Sequence, residues 1–483
     1  MKTSDHVKRR ITCGRALTVQ SSVDPTGARQ LSHPDFLRAL FMSLGELGIS
    51  YCVLPPKNAK VGDFQSSTTR LALSTRDETR LSSVFRLLHQ DGYWLLQHTQ
   101  DSAERHLFSF LWLRADAVEC AVLDFCFGQF AGGRKVLSAE ALLENRQRQG
   151  AVWVVSPARE FTLLLATAAA TGGISDFEVK RLQALTQQLD REVADRAAER
   201  LFGLSWSRKV IEACANTRIQ DLLPDLRRRL WVISLKRHPL QVIGCLSRKL
   251  FRSAKRCWQP SGALVVLLGP DGAGKTTVAN FLSETLKPLF AMQRLYHWRP
   301  GVLGGSKSEE AVTEPHRFPP RGRIASVVYL LLFFLDNILG FVFQIWPVLV
   351  RRGLVIFDRS FSDVLVDSRR YRYGGPHWAA HLLERLVPPR EKLVLILDAS
   401  ETTILSRKGE LSFDEVCRQR DGYRRLVHNN SRMTRLVLTD QGLDAAQRQV
   451  LATAIDYLVC RFSKRHGVCL TCSNVPLAAD ASR

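Results

Sequence analysis

The carboxy-terminal half of the sequence predicts an α/β fold in which a parallel sheet is flanked by helices, and the residues before it predict a smaller mixed α/β domain. Three observations carry the larger part of that expectation. The run Ala263-Leu264-Val265-Val266-Leu267-Leu268 is apolar at every position, as a strand buried on both faces of a parallel sheet must be. It leads directly into Gly269-Pro270-Asp271-Gly272-Ala273-Gly274-Lys275-Thr276, after which Val278, Phe281, Leu282 and Leu286 fall on one helical face. Two further apolar runs, Leu354 to Phe357 and Leu393 to Leu397, each end in an aspartate, Asp358 and Asp398.

The loop between the first strand and its helix matches G-x-x-x-x-G-K-[ST] in full. A triphosphate is held by backbone N–H groups converging at a helix N-terminus, and glycines let the chain wrap that closely. Residues Gly269 to Thr277 are therefore the expected ATP-binding segment of a P-loop NTPase fold. Lys275 would neutralise the β- and γ-phosphates, and Thr276 would place its hydroxyl on Mg²⁺. Asp358, at the end of a neighbouring strand, is the expected second anchor for the metal, with Arg359 beside it to hold a phosphoryl group. A surface ion pair is the plainer reading of Asp358-Arg359. Arg407 and Lys408, then Arg418 and Arg420, read either as a flap over the phosphates or as a solvated helix face.

At 483 residues the chain is long enough for two or three cores. Its 68 Lys and Arg against 46 Asp and Glu give a net charge of +22, which favours anionic partners. The 11 cysteines are scattered without the dense spacing of a secreted disulfide scaffold, and Cys469 and Cys472 lack the second ligand pair that a zinc site needs. The first residues have no apolar core region, so a cytoplasmic location is expected.

The expected organisation is a flexible extension over 1–32, a small α/β domain over 33–190, a basic helical connector over 191–258, the kinase-type domain over 259–466 and a flexible tail over 467–483. In the small domain a helix begins at Asp35, short strands lie at Tyr51 to Leu54, Arg70 to Leu73 and Val118 to Phe127, and a helix covers Thr79 to Leu88. Between Leu226 and Arg256 there are ten Lys or Arg and no acid, interleaved with Leu, Ile, Val, Trp and Phe. Two readings of that stretch stand: a linker with a solvated basic face, or a segment that docks on an anionic membrane surface at the inner face of the membrane.

Ile324 to Val350 is nearly all apolar over 27 residues, long enough to span a bilayer. A single crossing would separate Lys275 from Asp358, which one phosphoryl-transfer site cannot tolerate. Asp336, Asn337, Gln344 and Pro347 also interrupt the run. A core helix is the first reading and a membrane-inserted or re-entrant one the second.

Together, Gly269 to Thr277, Asp358-Arg359-Ser360 and Arg407-Lys408-Gly409-Glu410 resemble the thymidylate kinase family over about residues 262 to 460. The segment Asp363 to Pro376 looks like the signature of a bacterial thymidylate-kinase-like branch linked to surface-polysaccharide genes. His297-Trp298-Arg299-Pro300 resembles that family's phosphate-proximal loop. The resemblance implies that Asp271 meets the sugar hydroxyl of the acceptor nucleotide and Arg359 its phosphate. It also implies that Arg299 contributes to the acceptor site and that Phe333 or Phe334 stacks beside the acceptor base. Ser360 departs from the family's aromatic at that place, and the 407–410 segment is less arginine-rich than in housekeeping members.

The segment Phe36 to Phe127 is faintly similar to a nucleotidyltransferase-like fold. It lacks the D-x-D carboxylates such enzymes use for metal, so Asp124 alone cannot hold two ions and a non-catalytic domain is expected. His98, His106, Cys120 and Cys126 have no familiar metal spacing.

The reading for the whole chain is an ATP- and Mg²⁺-dependent nucleoside-monophosphate kinase (dTMP + ATP to dTDP + ADP), its partner a nucleoside monophosphate or related phosphate acceptor. Nucleic acid is not an expected partner, and a homodimer is compatible with the resemblance. Two alternatives stand beside it: a kinase for another phosphate or sugar acceptor in surface-polysaccharide synthesis, and a regulatory ATP-binding protein docked at the membrane surface.

Overall fold

The computed structural model describes residues 35–55, 68–102, 104–114, 117–297, 319–388, 392–408, 411–429 and 434–466. The expected extension over 1–32 and tail over 467–483, with Cys469 and Cys472, lie outside these residues. The chain divides into two compact units, Met1–Lys255 and Arg256–Arg483.

The first unit is built on a seven-stranded mixed sheet ordered Trp94–Ser102, Arg105–Arg114, Ala117–Cys126, Thr68–Leu73, Tyr51–Val53, Val152–Val154, Gln147–Gln149. Helices Asp35–Glu46 and Leu81–Gln90 bury aromatic side chains against it: Phe36 stacks on Trp112 at 5.0 Å and Phe85 meets Phe108 at 4.7 Å. The antiparallel hairpin of Trp94–Ser102 with Arg105–Arg114 escaped the sequence reading, because its histidines, threonine and glutamines blur the period-2 pattern.

Five helices follow: Pro157–Thr171, Asp176–Gln188, Arg191–Phe202, Leu204–Ala215 and Ile219–Arg237. They share one core through Phe161, Leu182, Leu201, Phe202, Leu226 and Leu230. The expected division at 190, with a connector over 191–258, is therefore corrected, since residues 191–237 belong to the core of the first unit. The stripe that buries Arg191–Phe202 is Ala194, Ala198, Leu201 and Phe202, at i, i+4, i+7 and i+8. Its small residues are hard to see among six charged residues of the same helix. Only the last helix of the unit, Pro239–Trp258, stands apart, with Val242 as its one buried residue.

The second unit holds five parallel strands: β1 (Ala263–Leu268), β2 (Gln293–Tyr296), β3 (Leu354–Asp358), β4 (Leu393–Asp398) and β5 (Thr434–Leu438). Their order in the sheet is β2-β3-β1-β4-β5. The chain leaves β1 toward one edge and later returns to its other side, so the carboxyl end of β1 is the switch point where such sheets open a crevice for ligands. The register places Leu267 level with Asp358, which brings the end of β3 beside the start of the phosphate loop. Helices α1 (Lys275–Leu286), α2 (Arg323–Gly340), α3 (Asp363–Val366), α4 (His377–Leu386), α5 (Glu401–Arg407), α6 (Phe413–Asn429) and α7 (Leu443–His466) complete the unit.

The long apolar stretch is the crossover helix between β2 and β3. It continues from α2 through a π-turn, Phe341–Ile345, into a short helix, Trp346–Val350. By length and composition Arg323–Val350 could cross a membrane, and 39% of its most apolar window is buried. Its flanking strands pair in parallel within one sheet, Gln293 level with Leu354, so the helix closes a β-α-β unit rather than separating its ends. Phe333, Leu330, Phe341 and Ile345 are buried, while Ile324, Val328, Leu332 and Phe343 remain exposed.

Candidate functional site

The phosphate loop closes because three of its glycines take left-handed backbone conformations, Gly269 (φ +140°), Gly272 (φ +91°) and Gly274 (φ +88°). At Gly269 the sheet also demands glycine, since a Cβ there would sit 2.3 Å from the carbonyl oxygen of Leu397 on β4. Helix α1 begins at Lys275, so its free N–H groups face the mouth of the loop. Pro270, Ala273 and Thr277 complete the predicted ATP-binding segment around this turn.

Lys275 is buried, and its Nζ donates to the carbonyl oxygens of Gly269 (2.8 Å) and Pro270 (2.9 Å), with Asp271 Oδ1 at 3.4 Å. Burial pushes its pKa down and the nearby Arg359 adds to that, against the pull of Asp271 and Asp358. Thr276 Oγ1 donates to Asp358 Oδ2 at 2.8 Å. The other carboxylate oxygen of Asp358 is buried with no hydrogen-bond partner among the described residues. An orphaned anionic oxygen of this kind is costly unless a cation or proton meets it. The pair Thr276 and Asp358 therefore fits a hard divalent ion, which takes oxygen ligands.

Asp271 is the hub of the site. Arg359 binds its Oδ1, Arg370 Nη1 donates to its Oδ2 at 2.8 Å, and Lys408 Nζ lies 3.8 Å from the same oxygen. Burial alone would raise its pKa, but Lys275, Arg359 and Arg370 hold it well below the usual carboxylate range. Arg359 in turn lies 3.7 Å from Asp363, which is fully buried and accepts from Tyr423 Oη at 2.9 Å. Arg359 itself has φ +87°, a conformation a non-glycine residue keeps only where its surroundings enforce it, and its N–H is fixed to the carbonyl of Leu267 at 3.0 Å.

Arg407 ends α5 above the loop, with Nη1 3.4 Å from the carbonyl oxygen of Gly272 and Nη2 3.2 Å from that of Thr439. Arg420 is neither flap nor solvated face: it is buried on Asp398 at 2.7 Å, and Arg424 shares the same carboxylate. Arg418 is tied to Glu415 at 2.9 Å and to the carbonyl of Val366. Among the predicted acceptor residues, Arg299 lies outside the described residues, as do Gly409 and Glu410. His297 is described, exposed, with Nδ1 3.6 Å from Asp358 Oδ2.

Phe333 is corrected as a contact for the acceptor base. Its ring is 1% exposed, stacked on Phe361 at 5.1 Å and beside Tyr371 at 5.8 Å, so it belongs to an apolar core under α4. Helical spacing brings an aromatic to the inner face but does not say whether a partner ring already covers it. Arg370 and Tyr423 were missed. Arg370 stands in the 363–376 signature, and the signal available was a cation within the segment after Asp358-Arg359.

The family model described as thymidylate kinase matches residues 268–438. The curated thymidylate kinase of Xanthomonas euvesicatoria pv. vesicatoria (strain 85-10) is 31% identical over 151 residues, covering 31% of this chain and 62% of that protein. The chain thus spans less than two thirds of that relative's length. Among solved structures, the thymidylate kinase from Ehrlichia chaffeensis is 20% identical with a TM-score of 0.28, covering 43% of this chain and 99% of that one. The thymidylate kinase from Candida albicans is 16% identical with a TM-score of 0.28, covering 42% and 90%. Residues 268–438, which carry the phosphate loop, Asp358, Arg359 and Arg370, are thus similar to the thymidylate kinase family of P-loop phosphotransferases.

Proposed function

We propose that the second unit transfers the γ-phosphoryl group of ATP to the phosphate of a nucleoside monophosphate, with dTMP as the first acceptor to test. The observation that carries this reading is the arrangement around Asp271, where one carboxylate inside the phosphate loop holds Arg359 and Arg370 beside Lys275. Phosphoryl transfer needs little covalent chemistry from a protein and a great deal of preorganised positive charge. Lys275 neutralises the β- and γ-phosphates once ATP replaces its present carbonyl partners. Arg359 and Arg370, fixed by Asp271 before any substrate arrives, orient the acceptor phosphate for in-line attack. Arg407, at the rim of the loop, stabilises charge on the transferring group.

Mg²⁺ would be held by Thr276 and Asp358 and, when bound, would neutralise charge on the β- and γ-phosphates. Asp271 is placed to accept a hydrogen bond from an acceptor sugar hydroxyl only by sharing an oxygen now held by an arginine. A phosphorylated sugar of surface-polysaccharide synthesis is the second acceptor reading, favoured by Ser360 in place of an aromatic and by the closure of Phe333.

The test is ADP release by the purified full chain with ATP, Mg²⁺ and a panel of nucleoside monophosphates and sugar phosphates, with Lys275→Ala as the control. Turnover of dTMP that falls by several orders of magnitude in the variant supports the proposal. ATP binding without turnover of any acceptor would favour a regulatory nucleotide-binding protein instead, and unchanged turnover in Lys275→Ala would remove the kinase assignment.

A further inference from the structure

The helix Pro239–Trp258 is inside out. Its one buried residue, Val242, lies 3.2 Å from the position a Cβ would take on Gly133, and the Arg248 guanidinium sits over the ring of Phe130. Arg248 and Arg252 also act electrostatically on Glu104. The helix therefore rests on the first unit through the side that carries Arg248 and Arg252. Its apolar side faces outward: Leu240 is 82% exposed, Leu250 72%, Phe251 71% and Trp258 83%, with Ile243 and Leu246 exposed between them. These residues stand at i, i+3, i+6, i+10, i+11 and i+18, within an arc of roughly 140° at 3.6 residues per turn, so the side chains form a single ridge along a helix roughly 30 Å long. Such a ridge is far more apolar surface than a helix leaves in water without a use for it.

We propose that this ridge lies in the interface of an anionic lipid bilayer, with the helix parallel to the membrane plane. Charge complementarity selects that partner. Between Pro239 and Arg256 the helix carries Arg248, Lys249, Arg252, Lys255 and Arg256 and no acid. Lys249 and Lys255 are exposed and flank the ridge on either side, at the level where lipid headgroups lie when an apolar face is buried among acyl chains. Trp258 ends the ridge with an amphipathic ring suited to the headgroup boundary. A second copy of the chain is the poorer fit, because pairing two such ridges would set the flanking Lys249 and Lys255 of each helix beside those of the other, with no carboxylate on either helix to offset them. Nucleic acid is poorer still, since the outward surface is apolar.

The experiment is co-sedimentation of the full chain with vesicles of phosphatidylcholine alone and of phosphatidylcholine with phosphatidylserine. Binding is expected only to the second, weakening as salt rises. Replacing Lys249→Gln with Lys255→Gln should weaken binding by roughly tenfold or more, since each cation near an anionic surface contributes on the order of a fivefold change. Leu250→Ser with Phe251→Ser should weaken it at least as much while charge is unchanged. All four side chains are exposed, so the variants should keep the circular dichroism spectrum and the kinase turnover of the parent, which separates failure here from failure of the proposed activity. Equal vesicle binding by the parent and both variants would overturn the proposal. So would binding to neither vesicle, self-association abolished by Leu250→Ser with Phe251→Ser, or retention on nucleic acid through this helix.

Discussion

Thr276 Oγ1 donates to Asp358 Oδ2 across 2.8 Å, joining the first turn of α1 to the end of β3, while Asp358 Oδ1 is buried without a hydrogen-bond partner among the described residues. A carboxylate kept in this state costs stability and is kept where its charge is used. Asp358→Asn should therefore lower turnover by on the order of a hundred- to a thousandfold, the several kcal/mol that a metal-centred charge contributes in a transition state. Its thermal midpoint should be unchanged or higher. Steady-state kinetics across a Mg²⁺ titration, beside a melting curve, checks both halves; a variant that loses stability while keeping activity would make Asp358 a purely structural residue.

Asp271 and Arg370 are paired at 2.8 Å although 99 positions separate them in the chain. Residues in one network do not act additively, and contacts of this kind show interaction energies of about 1 to 3 kcal/mol. A double-mutant cycle on acceptor binding, with Asp271→Ala, Arg370→Ala and the pair, should return a coupling of that size. Asp271→Ala alone should raise the acceptor KM roughly ten- to a hundredfold and leave ATP affinity nearly unchanged. Additive effects would mean that the ion pair is incidental to the site.

How much of this was legible in the sequence depends on the range of each interaction. Lys275, Thr276 and Asp271 were readable because the phosphate loop is local: strand, turn and helix start follow one another within a few residues, and each imposes its residue types. Asp358 was readable as a strand-terminal carboxylate, but its level with Leu267 is a property of strand pairing across 91 positions. Arg370 was seen only as part of a signature, since nothing local says which carboxylate a distant guanidinium will meet. Phe333 misled because an inward aromatic at helical spacing is equally consistent with an open cleft and a closed core. Residues 191–202 misled for a related reason: half of the stripe they bury is alanine, and its charged neighbours dominate any reading by composition.

The pH dependence of stability offers a third test. Lys275, Arg359 and Arg370 hold the folded pKa of Asp271 below its unfolded value. A depressed carboxylate pKa contributes stability that is fully present above the unfolded pKa, near 3.9, and is lost as pH falls through and below that value. Asp363 works the other way, because burial raises its pKa and so favours the protonated fold as pH drops. Asp271→Asn should therefore flatten the acid limb of the stability curve. Melting temperatures of parent and variant should draw together from about pH 4 downward; parallel curves through that range would mean that Asp271 gains nothing from its three cations.

The first unit supplies the last test, at the position where a nucleotidyltransferase-like site would keep a metal-binding carboxylate. Asp124 is fully buried on the strand Ala117–Cys126, and both its oxygens are taken: Arg70 Nε donates to Oδ2 at 3.1 Å and Arg105 Nε to Oδ1 at 2.8 Å. Arg70 is itself buried and anchored to the carbonyl of Pro55 at 2.9 Å, so it cannot swing away to admit a cation. The carboxylate thus satisfies two guanidiniums inside the sheet, and a divalent ion would have to displace both against their charge. Removing one partner of a buried ion pair leaves the other charge uncompensated, which costs about 3 to 5 kcal/mol. Asp124→Ala should accordingly lower the denaturant midpoint by that equivalent, and Asp124→Asn by less, since the amide oxygen still accepts one of the two bonds. Titration calorimetry of the full chain with Mn²⁺ should show no heat that disappears in Asp124→Asn. A metal-binding event lost in that variant, with the fold intact, would restore a catalytic role to a unit that the two arginines otherwise close.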